Sequence, residues 1–94
     1  MQKLSIIKFK PKQGCLDEFA ANLIAFNETK HRVFHLMQSG DELHAIVIRD
    51  ADILTQDAAE GVKFLDGQRH LLQESDSVNR HTIPLSGDLL HSTV

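Results

Sequence analysis

Residues 3–10 read KLSIIKFK, with Ser5, Ile7 and Phe9 at one set of alternate positions and Leu4 and Ile6 at the other. A period of two is that of a strand, and apolar residues in both phases mark one covered on both faces at its centre. Pro11 and Gly14 close it. The period then lengthens. Leu16, Phe19, Ala20, Leu23 and Phe26 fall at i, i+3, i+4, i+7 and i+10, which predicts a helix over 16–26 with one apolar stripe. Asp17 and Glu18 stand in its first turn, where the helix dipole favours negative charge. Two further alternating runs, 31–38 and 43–49, flank Gly40-Asp41. They predict a hairpin with a two-residue type II′ loop, Gly40 supplying the positive φ. Residues 52–74 read as helical in two pieces, an arm over 52–59 and a main helix over 62–74, with Gly61 as the break. A last strand is expected over 78–84, on an edge, because Pro84 lacks the N–H that a central strand uses.

The element order β-α-β-β-α-β predicts an α+β chain of the ferredoxin-like type, with an antiparallel sheet in the order 4-1-3-2. Two helices can cover one face of such a sheet. The hairpin is apolar on both, with Phe34, Leu36, Ala45 and Val47 on one side and Val33, Met37, Ile46 and Ile48 on the other. A second apolar face needs a second cover, and another copy of the chain is the simplest one, so the pattern predicts a homodimer packed sheet against sheet. Residues 85–94, with Leu89 and Leu90, are expected to form a C-terminal tail packing at the dimer interface.

Composition narrows the function classes. The 94 residues make one domain, 1–94, small enough for its own core to be marginal. A net charge of −3 with scattered basic residues leaves no footprint for nucleic acid. Lys8, Lys10 and Lys12 cluster, which reads as a solvated strand edge. No apolar run approaches the ~18 residues that span a bilayer, and MQKLSIIKFK is too charged for a signal peptide. With one cysteine, Cys15, next to Gly14 at a helix start, no internal disulfide forms, which suits a cytoplasmic protein.

Several side chains could carry chemistry. With Gly40-Asp41 as the loop, Met37 lies opposite His44, and His35 and His44 share a face diagonally. They are the candidate catalytic pair, since imidazole titrates near working pH. The alternative is a pair of half-buried polar groups lining a cavity or interface. Two imidazoles are too few for a zinc site, and no metal is expected. On the closing helix, Phe64, Leu65, Leu71 and Leu72 form the buried stripe, with Gln68 at its centre beside Gly61. A glutamine aimed into an apolar face and a glycine that leaves room suggest a cavity between helix and sheet. Phe34, Arg49, Gly61, Phe64 and Gln68 are its candidate lining residues. Arg49 can bind an anionic group or pair with Asp50 or Asp52, and Arg69 can pair with Asp66.

The strand followed by KPKQGCLDEFAANL, the hairpin running into IRDADILTQDA, and FLDGQRHLL followed by TIPLSGDLL cover nearly the whole chain. Together they resemble the dimeric α/β-barrel superfamily, and within it the small antibiotic-biosynthesis-monooxygenase-like proteins. The resemblance implies a homodimer with a pocket between each sheet and its helices, no cofactor, and a small apolar or aromatic ligand. Enzymes of that family oxygenate polycyclic phenols and quinols without metal or flavin, relatives degrade haem, and many members have no known activity. This chain departs from them in having neither Trp nor Tyr, and in carrying Arg49 where many relatives have Trp. Two readings follow. One is a cofactor-independent oxygenase or isomerase of an aromatic or lipid-like substrate. The other is a non-catalytic ligand-binding or interaction module with structural histidines.

Overall fold

The computed structural model describes residues 1–30, 32–74 and 81–93. Strand β1 (Gln2–Phe9) leads into helix α1 (Leu16–Glu28), strands β2 (Val33–Ser39) and β3 (Glu42–Asp50), helix α2 (Leu54–Asp66) and strand β4 (Thr82–Asp88). Single 3₁₀ turns at Ala51–Ile53 and Arg69–Leu71 flank α2. The fold is α+β, with one four-stranded sheet in which every neighbouring pair is antiparallel. Its strands lie in the order β2-β3-β1-β4, which is 4-1-3-2 counted from the opposite edge.

Ser39 pairs with Glu42, so Gly40 and Asp41 alone make the hairpin loop, and Gly40 has the positive φ, 62°, that such a loop asks of its first central residue. That register places the hairpin's side chains as the alternation predicts. Phe34 faces Val47 and Leu36 faces Ala45 on one side, while Met37 faces His44 and Val33 faces Ile48 on the other.

The second helix differs from the expectation in both its break and its end. It runs without interruption through Gly61 and stops at Asp66, with Gly67 as its C-cap. A glycine inside a helix costs only about 1 kcal/mol relative to alanine, which packing of the rest of the stripe outweighs. The 3₁₀ turn after Gly67 then delivers Leu71 and Leu72 into the core, so the expected burial of those two is met outside the helix.

The last strand is also shifted. It occupies Thr82–Asp88 and carries Pro84 opposite Ile7 on an edge strand. The beginning of the expected strand, residues 78–80, lies outside the described residues. Leu85 to Asp88 therefore belong to the sheet rather than to a tail. Their apolar content is low, but pairing with the central strand β1 supplies the backbone hydrogen bonds. The tail begins at Leu89, whose N–H still donates to Gln2 O, and Leu90 beyond it is 92% exposed.

Both helices pack on the same face. Phe19 and Leu23 from α1 are buried with Phe9, Leu43 and Ala45 of the sheet, and Phe64 and Leu65 from α2 pack against them. One end of this layer is solid. Phe9 and Phe19 meet with ring centroids 5.0 Å apart and planes tilted by 57°. Such a contact adds roughly 0.5–1.5 kcal/mol to the burial itself. Leu71 and Leu72 close over them, held by Lys12 N to Leu71 O and Gln73 N to Lys10 O hydrogen bonds. The opposite sheet face is uncovered. There Ile6, Val33, Met37 and Leu85 remain exposed, and Leu4, Ile46 and Ile48 are half-buried. Among the described residues, no helix is long and apolar enough to cross a membrane.

Candidate ligand-binding site

Towards the other end of the covered face, the side chains along the sheet become small: Ser5 on β1, Ala45 on β3 and Ser86 on β4. Above them α2 presents Ala58 and Gly61. Small groups on facing layers leave a gap, and here they leave a cavity of about 350 Å³. Its apolar walls include Phe26, Phe34, Val47, Phe64 and Leu65. Phe26 of α1 stacks on Phe64 of α2, with centroids 4.4 Å apart and planes within 15°. The volume lies at the small end of the ~300–1,000 Å³ typical of ligand pockets.

A charged cluster lines the same cavity. Arg32, just before β2, and Arg49, near the end of β3, both reach Asp57 on α2. Each arginine side chain is only 7% exposed, and that of Asp57 is 9% exposed. Arg32 Nη1 donates to Asp57 Oδ1, and Arg32 Nη2 donates to Asn27 Oδ1 at 2.7 Å. Arg49 Nη1 stands 2.8 Å from Asp57 Oδ2. That contact is close but poorly directed, since Oδ2 has no aligned hydrogen bond among the described residues. Arg49 Nη2 donates to Ser5 Oγ at 3.1 Å, and Ser5 Oγ in turn lies 2.6 Å from Ser86 Oγ. Asn27 is fixed from its own helix, donating from Nδ2 to Leu23 O at 2.8 Å. Burial draws the Arg32 guanidinium below its ordinary value, against the pull of Asp57 and with a further push from Arg49. An arginine stays protonated even so. The cluster therefore buries two cations around one carboxylate.

Of the residues singled out from sequence, Phe34, Arg49, Gly61 and Phe64 come together around this cavity. Gln68 does not. Because α2 ends at Asp66, the helical angle that aimed Gln68 at Gly61 no longer applies, and its Oε1 accepts instead from Asn22 Nδ2 at 2.9 Å. Arg49 forms a salt bridge, but with Asp57 rather than with Asp50 or Asp52. Arg69 pairs with Asp66 at 2.9 Å as the spacing suggests.

His35 and His44 do share a face, and it is the uncovered one, opposite the cavity. His35 is exposed beside Ile46, and His44 is half-buried, with its Nε2 3.6 Å from Glu42 Oε1. Among the described residues, no group of three or more His, Cys, Asp or Glu side chains gathers as a metal site would require.

Sequence reasoning missed Arg32, Asn27 and Asp57. Each carried a signal, because each is a polar residue in phase with an apolar set. Asn27 follows Phe19 and Leu23 at four-residue steps, Asp57 lies between Leu54 and Ala58 on one stripe, and Arg32 precedes Phe34 and Leu36 by strand alternation. No protein-family model matches the chain, and no curated protein matches it.

Proposed function

We propose that the chain is one half of a homodimer of the ferredoxin-like, dimeric α/β-barrel type, and that each copy binds a small apolar or aromatic molecule in the cavity between its helices and its sheet. The observation that carries this reading is the 350 Å³ cavity with phenylalanines from α1, β2 and α2 in its wall. Well-packed domains do not keep apolar space of this size open without a use for it. The β-α-β-β-α-β order and the apolar uncovered face support the dimer. The lone thiol of Cys15 suits a cytoplasmic setting.

Of the two functional readings, the binding module is the better supported. The candidate catalytic histidines stand across the sheet from the cavity. The ionisable side chains that line it among the described residues are Arg32, Arg49 and Asp57, already engaged with one another. An oxygenase or isomerase needs a group free to take a proton from the substrate.

Titration with 2-naphthol, followed by its fluorescence, tests the reading. Saturable binding of one molecule per chain is expected. A Cβ built at Gly61 meets nothing within 4 Å, so Gly61→Leu fills the cavity without a clash at its root and should abolish binding while the fold persists. Absence of binding to the wild type, or unchanged binding to Gly61→Leu, counts against the cavity as the site.

A further inference from the structure

The charged end of the cavity is asymmetric in a way that an internal anchor does not explain. Tying α2 to the sheet requires one arginine and one aspartate, yet Arg32 and Arg49 both converge on Asp57. At the rim Lys30 pairs with Glu60, so the neighbouring acid is already matched. The described cluster thus holds one positive charge more than it balances. Burying an unmatched charge costs free energy, and the cost is relieved by a counter-ion.

The hydrogen bonds show the same deficit. Both Nη atoms of Arg32 are engaged, on Asp57 and Asn27, and both Nη atoms of Arg49 face Asp57 and Ser5. The Nε–H of each has no acceptor among the described residues, and Asp57 Oδ2 has no aligned donor there, but all three atoms are sealed from solvent and so from a ligand. Two buried guanidiniums line one cavity, and each Nη, which carries two N–H groups, is engaged on one partner, which leaves donors for a planar anion. Apart from Ser5, Asn27, Thr82 and Ser86, the rest of the wall is apolar, so that anion must belong to a molecule with an apolar body. At about 30 Å³ for each water-sized group, the space admits a molecule of about a dozen non-hydrogen atoms.

We infer that the Arg32–Asp57–Arg49 cluster recognises the carboxylate of a small amphipathic acid whose apolar, aromatic-sized body lies against Phe26, Phe34 and Phe64. This rests on the cavity reading above and adds to it the charge of the ligand. Asp57 holds the two guanidiniums in place, Asn27 and Ser5 fix their planes, and the remaining Nη N–H groups are left for the ligand.

The test compares 2-naphthoate with 2-naphthamide, which have the same ring and nearly the same shape and differ in charge, by calorimetry at about pH 7. The acid should bind at least about tenfold more tightly. In Arg49→Met, where Arg32 and Asp57 are left as a matched pair, that ratio should fall to about one. Inorganic phosphate, an anion without a body, should compete poorly. Equal binding of acid and amide to the wild type overturns the carboxylate inference and leaves the cavity reading standing. Binding of neither removes both. Phosphate that binds as tightly as 2-naphthoate also overturns it, in favour of a simple anion site. The wild-type ratio decides the matter even where the variant does not fold.

Discussion

The Phe26 ring lies nearly parallel to that of Phe64, 4.4 Å away, and joins α1 to α2 over a cavity that the backbones leave open. Lys30 Nζ sits 4.9 Å from the Phe26 centroid, a cation–π contact that holds the ring from another side. Half-buried aromatic pairs of this kind carry area burial and stacking together. Phe64→Ala should therefore cost about 2–3 kcal/mol in urea unfolding and lower the melting temperature by roughly 10–20 °C, while Phe64→Leu should cost less than half as much. Equal effects of the two variants would mean that the ring stack contributes little.

The buried charges make an uneven prediction for their two signs. Asp57→Asn leaves two guanidiniums buried with no carboxylate between them and should destabilise the fold by about 3–5 kcal/mol. Arg49→Met leaves the Arg32–Asp57 pair balanced and loses the poorly directed contact with Asp57 and the bond to Ser5. It should cost less than about 2 kcal/mol. Denaturant titration of both variants checks the order. A larger loss from Arg49→Met would show that the second arginine is part of the framework rather than an excess.

Gly61 links the fold to what was legible in the sequence. The strand alternation, the hairpin register and both faces of β2 and β3 could be read because a two-residue loop fixes every pairing after it. The second helix was harder. Placing its break at Gly61 split the stripe that runs Leu54, Asp57, Ala58, Gly61, Leu65, and so Asp57 no longer stood out as a charge on a buried face. With the helix continued too far, Gln68 stood in its place. The last strand is hard to place from sequence because its helix-facing positions are Thr82, Pro84 and Ser86, which carry no hydrophobic signal and border the cavity instead of filling a core. The cavity itself hid two of the cues that a packed core would have supplied.

Because Gly61 lies within α2 and its missing Cβ faces open space, alanine there gains helix propensity at no steric cost. Gly61→Ala should raise stability by up to about 1 kcal/mol, seen as a higher urea midpoint with an unchanged slope. A loss of stability would place a true helix break at this residue.

Glu60 gives the chain one predictable acid response. The hydrogen bond from Lys30, and then the charge of that ammonium, hold the Glu60 carboxyl below its ordinary value of 4.5. A depressed folded-state value stabilises the protein above the unfolded value and loses that contribution as pH falls through the folded one. The melting temperature of the wild type should therefore exceed that of Glu60→Gln at about pH 7, with the difference shrinking towards zero as pH falls below 4.5 and through the lowered folded-state value. The pair is partly exposed, so the difference should be small and should also shrink in high salt. A gap that widens on acidification would contradict the assignment.

Ile46 holds the middle of the uncovered sheet face, with Ile6 opposite it on β1 and His35 opposite it on β2. If a second copy covers this face, a lysine at that position faces its own counterpart or an apolar neighbour across the interface and cannot be solvated. In a free monomer the same lysine simply joins Lys8 on a surface already open to water. Ile46→Lys therefore separates association from folding. The wild type should sediment as a dimer at micromolar concentration, with a melting temperature that rises with concentration, as mass action requires. The variant should sediment as a folded monomer whose melting temperature does not depend on concentration. It should still bind 2-naphthol, because the cavity lies on the other side of the sheet. A monomeric wild type, or a variant that still dimerises, would place the partner elsewhere and leave Ile6, Met37 and Leu85 exposed without a cover.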